Sequence, residues 1–187
     1  MPITIGAKPS PDFTDPIALL SDCHRRIENF LAVLIRVVEQ RNGAPLSEDE
    51  RGALERSLEY FRNAAPRHTA DEEESLFPRL RACESPEIQS ALSAIERLEG
   101  DHDHAAQWHD EVDRLARKWL SDNKLEQSDS EQLTQALVNL DELYRGHIAL
   151  EDHQLFPAAA AVLSNTDTTE IGNEMAERRG LRDKHHR

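Results

Sequence analysis

The chain has 187 residues, 38% apolar and 31% charged, with a formal net charge of −14; that is one domain's length, with enough apolar residues for a core of its own. The negative balance argues against the basic surfaces that bind nucleic acid or anionic membranes. No run of eighteen apolar residues and no continuous apolar stretch behind Met1 occur, so neither a spanning helix nor a secretory leader is expected and the protein is placed in the cytoplasm.

Residues 1–14, with Pro2, Pro9 and Pro11, read as an irregular lead-in. Asp15 followed by Pro16 is an N-cap and first-turn proline. From there Leu20, His24, Ile27, Leu31, Leu34 and Val38 recur at spacings of three and four until Asn42-Gly43-Ala44-Pro45 stops the helix. Ser47-x-x-Glu50 is a capping box that opens a second helix, whose buried seam runs Leu54, Leu58, Phe61, Ala65, His68, Glu72, Leu76, Leu80. Pro66 interrupts this run and predicts a kink two residues before His68.

Ser85-Pro86 is expected to begin the third helix, with Ile88, Leu92, Ile95, Leu98, His102, Ala105, His109, Val112, Leu115 and Trp119 inward and Ser121-Asp-Asn-Lys at its end. Ser128-x-x-Glu131 reads as the cap of a fourth, with Leu133, Leu137, Leu140, Tyr144, His147, Glu151, Leu155, Ala158 and Val162 on its seam. Four long helices with short connections and no strand-like alternation predict an all-α, up-down-up-down four-helix bundle over residues 15–163. In residues 164–187 the polar run after Ser164 reads as a turn. Glu170 to Arg179 is expected to form a short helix against the bundle, and the tail with His185 and His186 to be mobile. Cys23 and Cys83 form no C-x-x-C pair and are expected to be free thiols.

One phrase occurs twice. His68 is followed by Glu72, Glu73 and Phe77-Pro78; 79 residues on, His147 is followed by Glu151, Asp152 and Phe156-Pro157. His24 and His102 precede the two copies, 78 residues apart. A helix advances about 100° per residue, so a residue four on from a histidine lies roughly 40° from it and one five on roughly 140°. Glu72 and Glu151 therefore share the buried stripe with His68 and His147, while Glu73 and Asp152 point sideways. Two unpaired carboxylates in one core cost several kcal/mol each and repel, unless cations sit between them. Two glutamates bridging two metals, each metal capped by two histidines, form the recurring dinuclear carboxylate recipe of helical bundles. Nitrogen and oxygen donors without thiolate favour iron over manganese or zinc.

These residues resemble the hemerythrin-like, or HHE cation-binding, family. The resemblance rests on Asp22-Cys-His24, His68-x-x-x-Glu72 with Leu76-Phe-Pro78, Asp101-His102, and Tyr144-x-x-His147-Ile-x-x-Glu151-Asp152 with Leu155-Phe-Pro157. It implies a non-haem di-iron centre in the bundle core, with His24, His68, His102 and His147 as terminal ligands and Glu72 and Glu151 bridging. Asp152 is the alternative to Glu151, since the oxygen carriers of the family resemble H-x-x-x-x-D in this helix. Those carriers also place a second histidine one turn after the third-helix histidine, where this chain has Ala106, which points away from reversible oxygen carriage.

Asp22, Asp71, Glu73, Asp101 and Asp152 are candidates to orient the free nitrogens of the histidines. His109 is too far along its helix for the same metals and is expected beside them or in a water pocket. His104 and His153 are expected in solvent, and Tyr144 either in contact with a bridging group or in plain packing. The function expected is a di-iron protein that binds or responds to a small diatomic or peroxide ligand (dioxygen, peroxide or nitric oxide). The alternative is an iron-storage or metal-sensing module without turnover.

Overall fold

The computed structural model describes residues 12–89 and 91–181. The lead-in through residue 11 and the tail from residue 182, with His185 and His186, lie outside them.

Asp15 accepts from the Ala18 backbone N–H at 3.1 Å and starts α1, Pro16–Arg41, which Asn42 ends in the left-handed conformation. The Ser47–Glu50 capping box forms and opens α2, Glu48–Asn63. Pro66 has no N–H to give, and the helix is interrupted at Ala64 before continuing as α3, Ala65–Ala70. A π-helical segment, Asp71–Leu76, and α4, Phe77–Ala82, complete this second rod. A single turn, α5, Pro86–Gln89, precedes α6, Leu92–Asp122. The fourth rod is α7, Gln127–Leu150, a second π segment, Glu151–Leu155, and α8, Phe156–Val162. A fifth helix, α9, spans Asn165–Arg178.

α1 packs against α2 and α7, and α6 packs against the same two, which closes four rods into the expected bundle. No helix among the described residues is long and apolar enough to cross a membrane.

Three boundaries differ from expectation, the first two because tertiary contact outweighs a local signal and the third because one local signal outweighs another. The third rod was expected to run unbroken from Pro86; instead α5 is a separate turn that seats the fully buried Ile88 and packs against α8. The fourth begins at Gln127 with no side-chain cap, not at the Ser128–Glu131 box. Leu125 is anchored there by its N–H on the Gly43 carbonyl at 2.9 Å, and Ser130 donates its hydroxyl to Asn42 at 3.1 Å. Trp119 adds an indole hydrogen bond to the Ala44 carbonyl, so the two loops at this end lock together. The stretch after Ser164 is the first turn of α9, capped by Ser164 and Asp167 acting reciprocally.

The core falls into two apolar layers. One gathers Ile27, Leu34, Leu58, Phe61, Leu115, Trp119 and Leu140 toward the locked loops. The other gathers Leu20, Leu76, Phe77, Leu98, Leu155, Phe156, Ile171 and Met175 toward α9. Between them every rod places a histidine: Leu20, His24, Ile27 on α1; Ala65, His68, Leu76 on the second rod; Leu98, His102, Ala105 on α6; Tyr144, His147, Leu155 on the fourth. Each fully buried Leu, Ile or Phe contributes about 1.5–3 kcal/mol, so the apolar layers hold the polar one at a set depth.

α9 closes the lower layer with Ile171 and Met175, and residues just before α1 cross over it. A Cβ at Gly172 would stand 1.9 Å from the Phe13 carbonyl oxygen, whereas one at Gly100 in α6 would meet nothing within 4 Å. Gly172→Ala is therefore expected to lower the unfolding free energy in urea by roughly 1–3 kcal/mol, while Gly100→Ala raises it by about 0.5–1 kcal/mol. A neutral Gly172→Ala would mean that the Phe13 crossing contributes nothing to the fold.

Candidate metal centre

The two π segments begin at or one residue before the two glutamates. The Phe77 N–H donates to the Glu72 carbonyl and the Phe156 N–H to the Glu151 carbonyl, each reaching back five residues. Pro78 and Pro157 follow at once. The ladder lacks a donor at a proline in any case, so a wide turn is least costly there. Wide turns of this kind concentrate at functional sites.

The structure brings His24, His68, Glu72, His102, His147 and Glu151 together. Glu72 divides its oxygens between two rods: Oε1 lies 3.2 Å from His68 Nε2 and Oε2 lies 3.3 Å from His102 Nε2. Glu151 Oε2 lies 3.0 Å from His24 Nε2 and 3.2 Å from His147 Nε2. Two quartets result, His24, His68, Glu72, Glu151 and Glu72, His102, His147, Glu151, each offering one donor atom per residue within 4.8 Å of the others. Both quartets share both glutamates. The imidazoles pair to match, with ring centroids 4.9 Å apart for His24 and His68 and 4.8 Å for His102 and His147.

The residues beside the glutamates turn outward and grip histidines of other rods. His24 Nδ1–H donates to Asp152 Oδ1 at 2.9 Å, and Ser21 and Arg25 also donate to this carboxylate. His102 Nδ1–H donates to Glu73 at 2.7 Å. Asp101 lies 3.5 Å from His147 Nδ1. A proton held on Nδ1 leaves the Nε2 lone pair facing the centre. Asp71 and Asp22, candidates for the same task, do other things. Asp22 pairs with Arg26 on its own helix. Asp71 is fully buried and receives Arg178 at 2.9 Å and Arg179 at 2.6 Å, while Arg178 also donates to Ser75. This anchor ties the end of α9 to the π turn that carries Glu72.

The donor set fits a cation. Both oxygens of Glu72 and of Glu151, Nε2 of His24 and His102, and Nδ1 of His68 and His147 are buried without a hydrogen-bond partner among the described residues. Buried polar groups are rarely left so. Without a cation the two carboxyls behave as one coupled pair. Burial and then the charge of Glu151 push Glu72 well above the usual carboxylate range; burial opposes ionisation of Glu151 too, but His147 and His24 outweigh it and hold it low. Burial, with His24 beside it, holds His68 well below the usual imidazole range and therefore neutral.

His109 belongs to neither quartet. Its Nε2 is 2.8 Å from the Tyr144 hydroxyl and its ring lies on Phe61 at 4.4 Å. His104 and His153 are exposed. A cavity of about 490 Å³ runs from the four histidines past Tyr144, His109 and Ala106 to solvent between the second rod and α6. Sequence periodicity missed both π segments and the Arg178–Asp71–Arg179 anchor. The Phe-Pro endings were a signal for the first; nothing local announced the second.

Residues 15–159 match the family described as hemerythrin HHE cation binding domain. An uncharacterised protein of Haemophilus influenzae is 30% identical over 175 residues, covering 91% of this chain and 94% of that protein.

Burial lowers the His109 pKa from 6.5 to about 4. Between those values the unfolded chain binds a proton that the folded chain refuses, so stability falls as pH falls through this window. His109→Gln keeps a partner for Tyr144 but cannot titrate. Urea unfolding at pH 7.5 and 4.5 is expected to show the wild type losing about 2–3 kcal/mol more than this variant on acidification; a pH-independent difference would mean that His109 is not held neutral.

Proposed function

The chain belongs to the hemerythrin HHE cation-binding family, and on that premise we propose that it is a cytoplasmic di-iron protein whose centre binds or responds to dioxygen, peroxide or nitric oxide. His24, His68, His102 and His147, with Glu72 and Glu151 shared between the two quartets, would hold the irons. The observation that carries this reading is the pair of buried glutamates whose four oxygens have no donor and which both quartets share. Asp152 is engaged by His24, Ser21 and Arg25, which favours Glu151 as the bridge. Imidazole and carboxylate donors favour iron, which would supply one-electron redox chemistry toward small oxidants. Cys23 and Cys83 are free thiols and neither belongs to a quartet, in keeping with a reducing compartment.

The chain's own part is to hold these donors in place and control what reaches them. Asp152 and Glu73 orient the His24 and His102 imidazoles by accepting from Nδ1–H, which turns Nε2 of each toward the centre. Leu76, Phe77, Leu155 and Phe156 seal the side toward α9. The cavity on the other side gives small molecules a path past Ala106, where a larger side chain would narrow it.

Aerobically loaded protein is expected to hold two irons per chain and show the visible absorption of a coupled ferric pair. Glu72→Gln and Glu151→Gln should each lower iron content severalfold while the helical circular dichroism persists. Full iron retention in the double variant would contradict the assignment. Asp152→Asn and Glu73→Gln act through the histidines they orient and are expected to weaken iron binding by about 10–100-fold in competition with a chelator; unchanged affinity would remove that role.

A further inference from the structure

Two irons among the histidines and a diatomic or peroxide ligand on them do not account for the size of the cavity that opens from the centre. A water molecule's share of liquid volume is about 30 Å³, and the cavity holds about 490 Å³, inside the range of about 300–1,000 Å³ in which proteins bind small organic molecules. Its wall is largely apolar, formed by Ile27, Leu58, Phe61, Val112 and Ile148. Phe61 and His109, stacked with centroids 4.4 Å apart, place an aromatic pair in that wall. The polar pair inside, Tyr144 and His109, is satisfied internally at 2.8 Å, and burial keeps His109 uncharged. The interior therefore suits an apolar, ring-sized body.

The mouth has a definite sign. Arg62, the cation of the lining, is held by both oxygens of Asp113 at 2.7 and 2.9 Å, and Glu73 is engaged by His102. Asp103 and Asp110, two turns apart on α6, are exposed at the opening and have no hydrogen bond or ion pair among the described residues. Two uncompensated carboxylates beside an apolar pocket, on a chain of net charge −14, draw cations and repel anions.

We propose that this cavity is a binding site for a small organic cation with an apolar, ring-sized body. The body lies against Phe61 and the aliphatic wall, and the ammonium group faces Asp103 and Asp110. The site depends on the cavity and its mouth, not on the identity of the metal below, and it adds a second, larger ligand to the small oxidant of the centre.

Calorimetric titration of the iron-loaded full chain with benzyltrimethylammonium tests this. Its nitrogen has no lone pair and cannot ligate a metal, and phenylmethanesulfonate is the anionic match. One site is expected, about tenfold or more tighter for the cation than for the sulfonate. Ala106→Trp, which puts a bulky ring at the edge of the cavity, should weaken the binding at least tenfold. The surface pair Asp103→Asn with Asp110→Asn should weaken the cation about tenfold and leave the sulfonate unweakened, and it tests the mouth even if the tryptophan variant misfolds. Absence of binding, equal affinity for the two probes, or an Asn pair that binds like wild type would each overturn the proposal. Iron content measured on the same samples keeps the two readings separate: cation binding without iron leaves the cavity standing and sinks the di-iron centre, and iron without cation binding does the reverse.

Discussion

Two carboxylates, Glu72 and Glu151, face one another in the fully buried middle of a helical bundle with no donor on any of their oxygens. Two carboxylates with nothing between them would repel, each would lose several kcal/mol of solvation, and the core would open or take up a proton. Every other feature of the centre is arranged around that constraint. Four imidazoles, one from each rod, present nitrogens at 3.0 to 3.3 Å from these oxygens, a set of donors suited to cations seated among them. Apolar layers above and below fix the depth at which the six side chains meet.

The two halves repeat in sequence but have diverged in their supports. Glu73 holds His102 and the equivalent Asp152 holds His24, so the outward carboxylates act across the bundle in a reciprocal pattern. The remaining histidines are treated unequally: His147 has Asp101 near its Nδ1, while His68 Nδ1 has no partner. The π turn of the first half is also anchored through Asp71 to Arg178 and Arg179, and Ser75 shares Arg178. Breaking one partner of so buried an ion pair is costly, so α9 is a structural part of the centre's frame although it contributes no donor to either quartet.

The convergence of His24, His68, Glu72, His102, His147 and Glu151 was legible from spacing because a helix of known pitch puts residues four apart on one face. The pairing of Glu73 with His102 and Asp152 with His24 was not, because it depends on the relative register of rods far apart in sequence. The π turns escaped because propensity and periodicity assume a uniform pitch, and only the duplicated Phe-Pro hinted otherwise. Ser128-x-x-Glu131 misled because a capping box is a local preference worth about 1 kcal/mol, overridden by the anchoring of Leu125 and Ser130 on the opposite loop. Asn165 to Thr169 looked like a turn because its residues favour turns; Ser164 and Asp167 instead use the same polarity to start α9.

If cations separate the two glutamates, binding them is part of folding. Urea unfolding of the iron-loaded chain against the same chain stripped by a chelator at pH 7 tests this most directly. The stripped chain should unfold at a clearly lower urea concentration, by several kcal/mol at metal concentrations far above dissociation. Identical midpoints, with iron verified in one sample and absent from the other, would show that the buried pair is stable on its own and contradict the account.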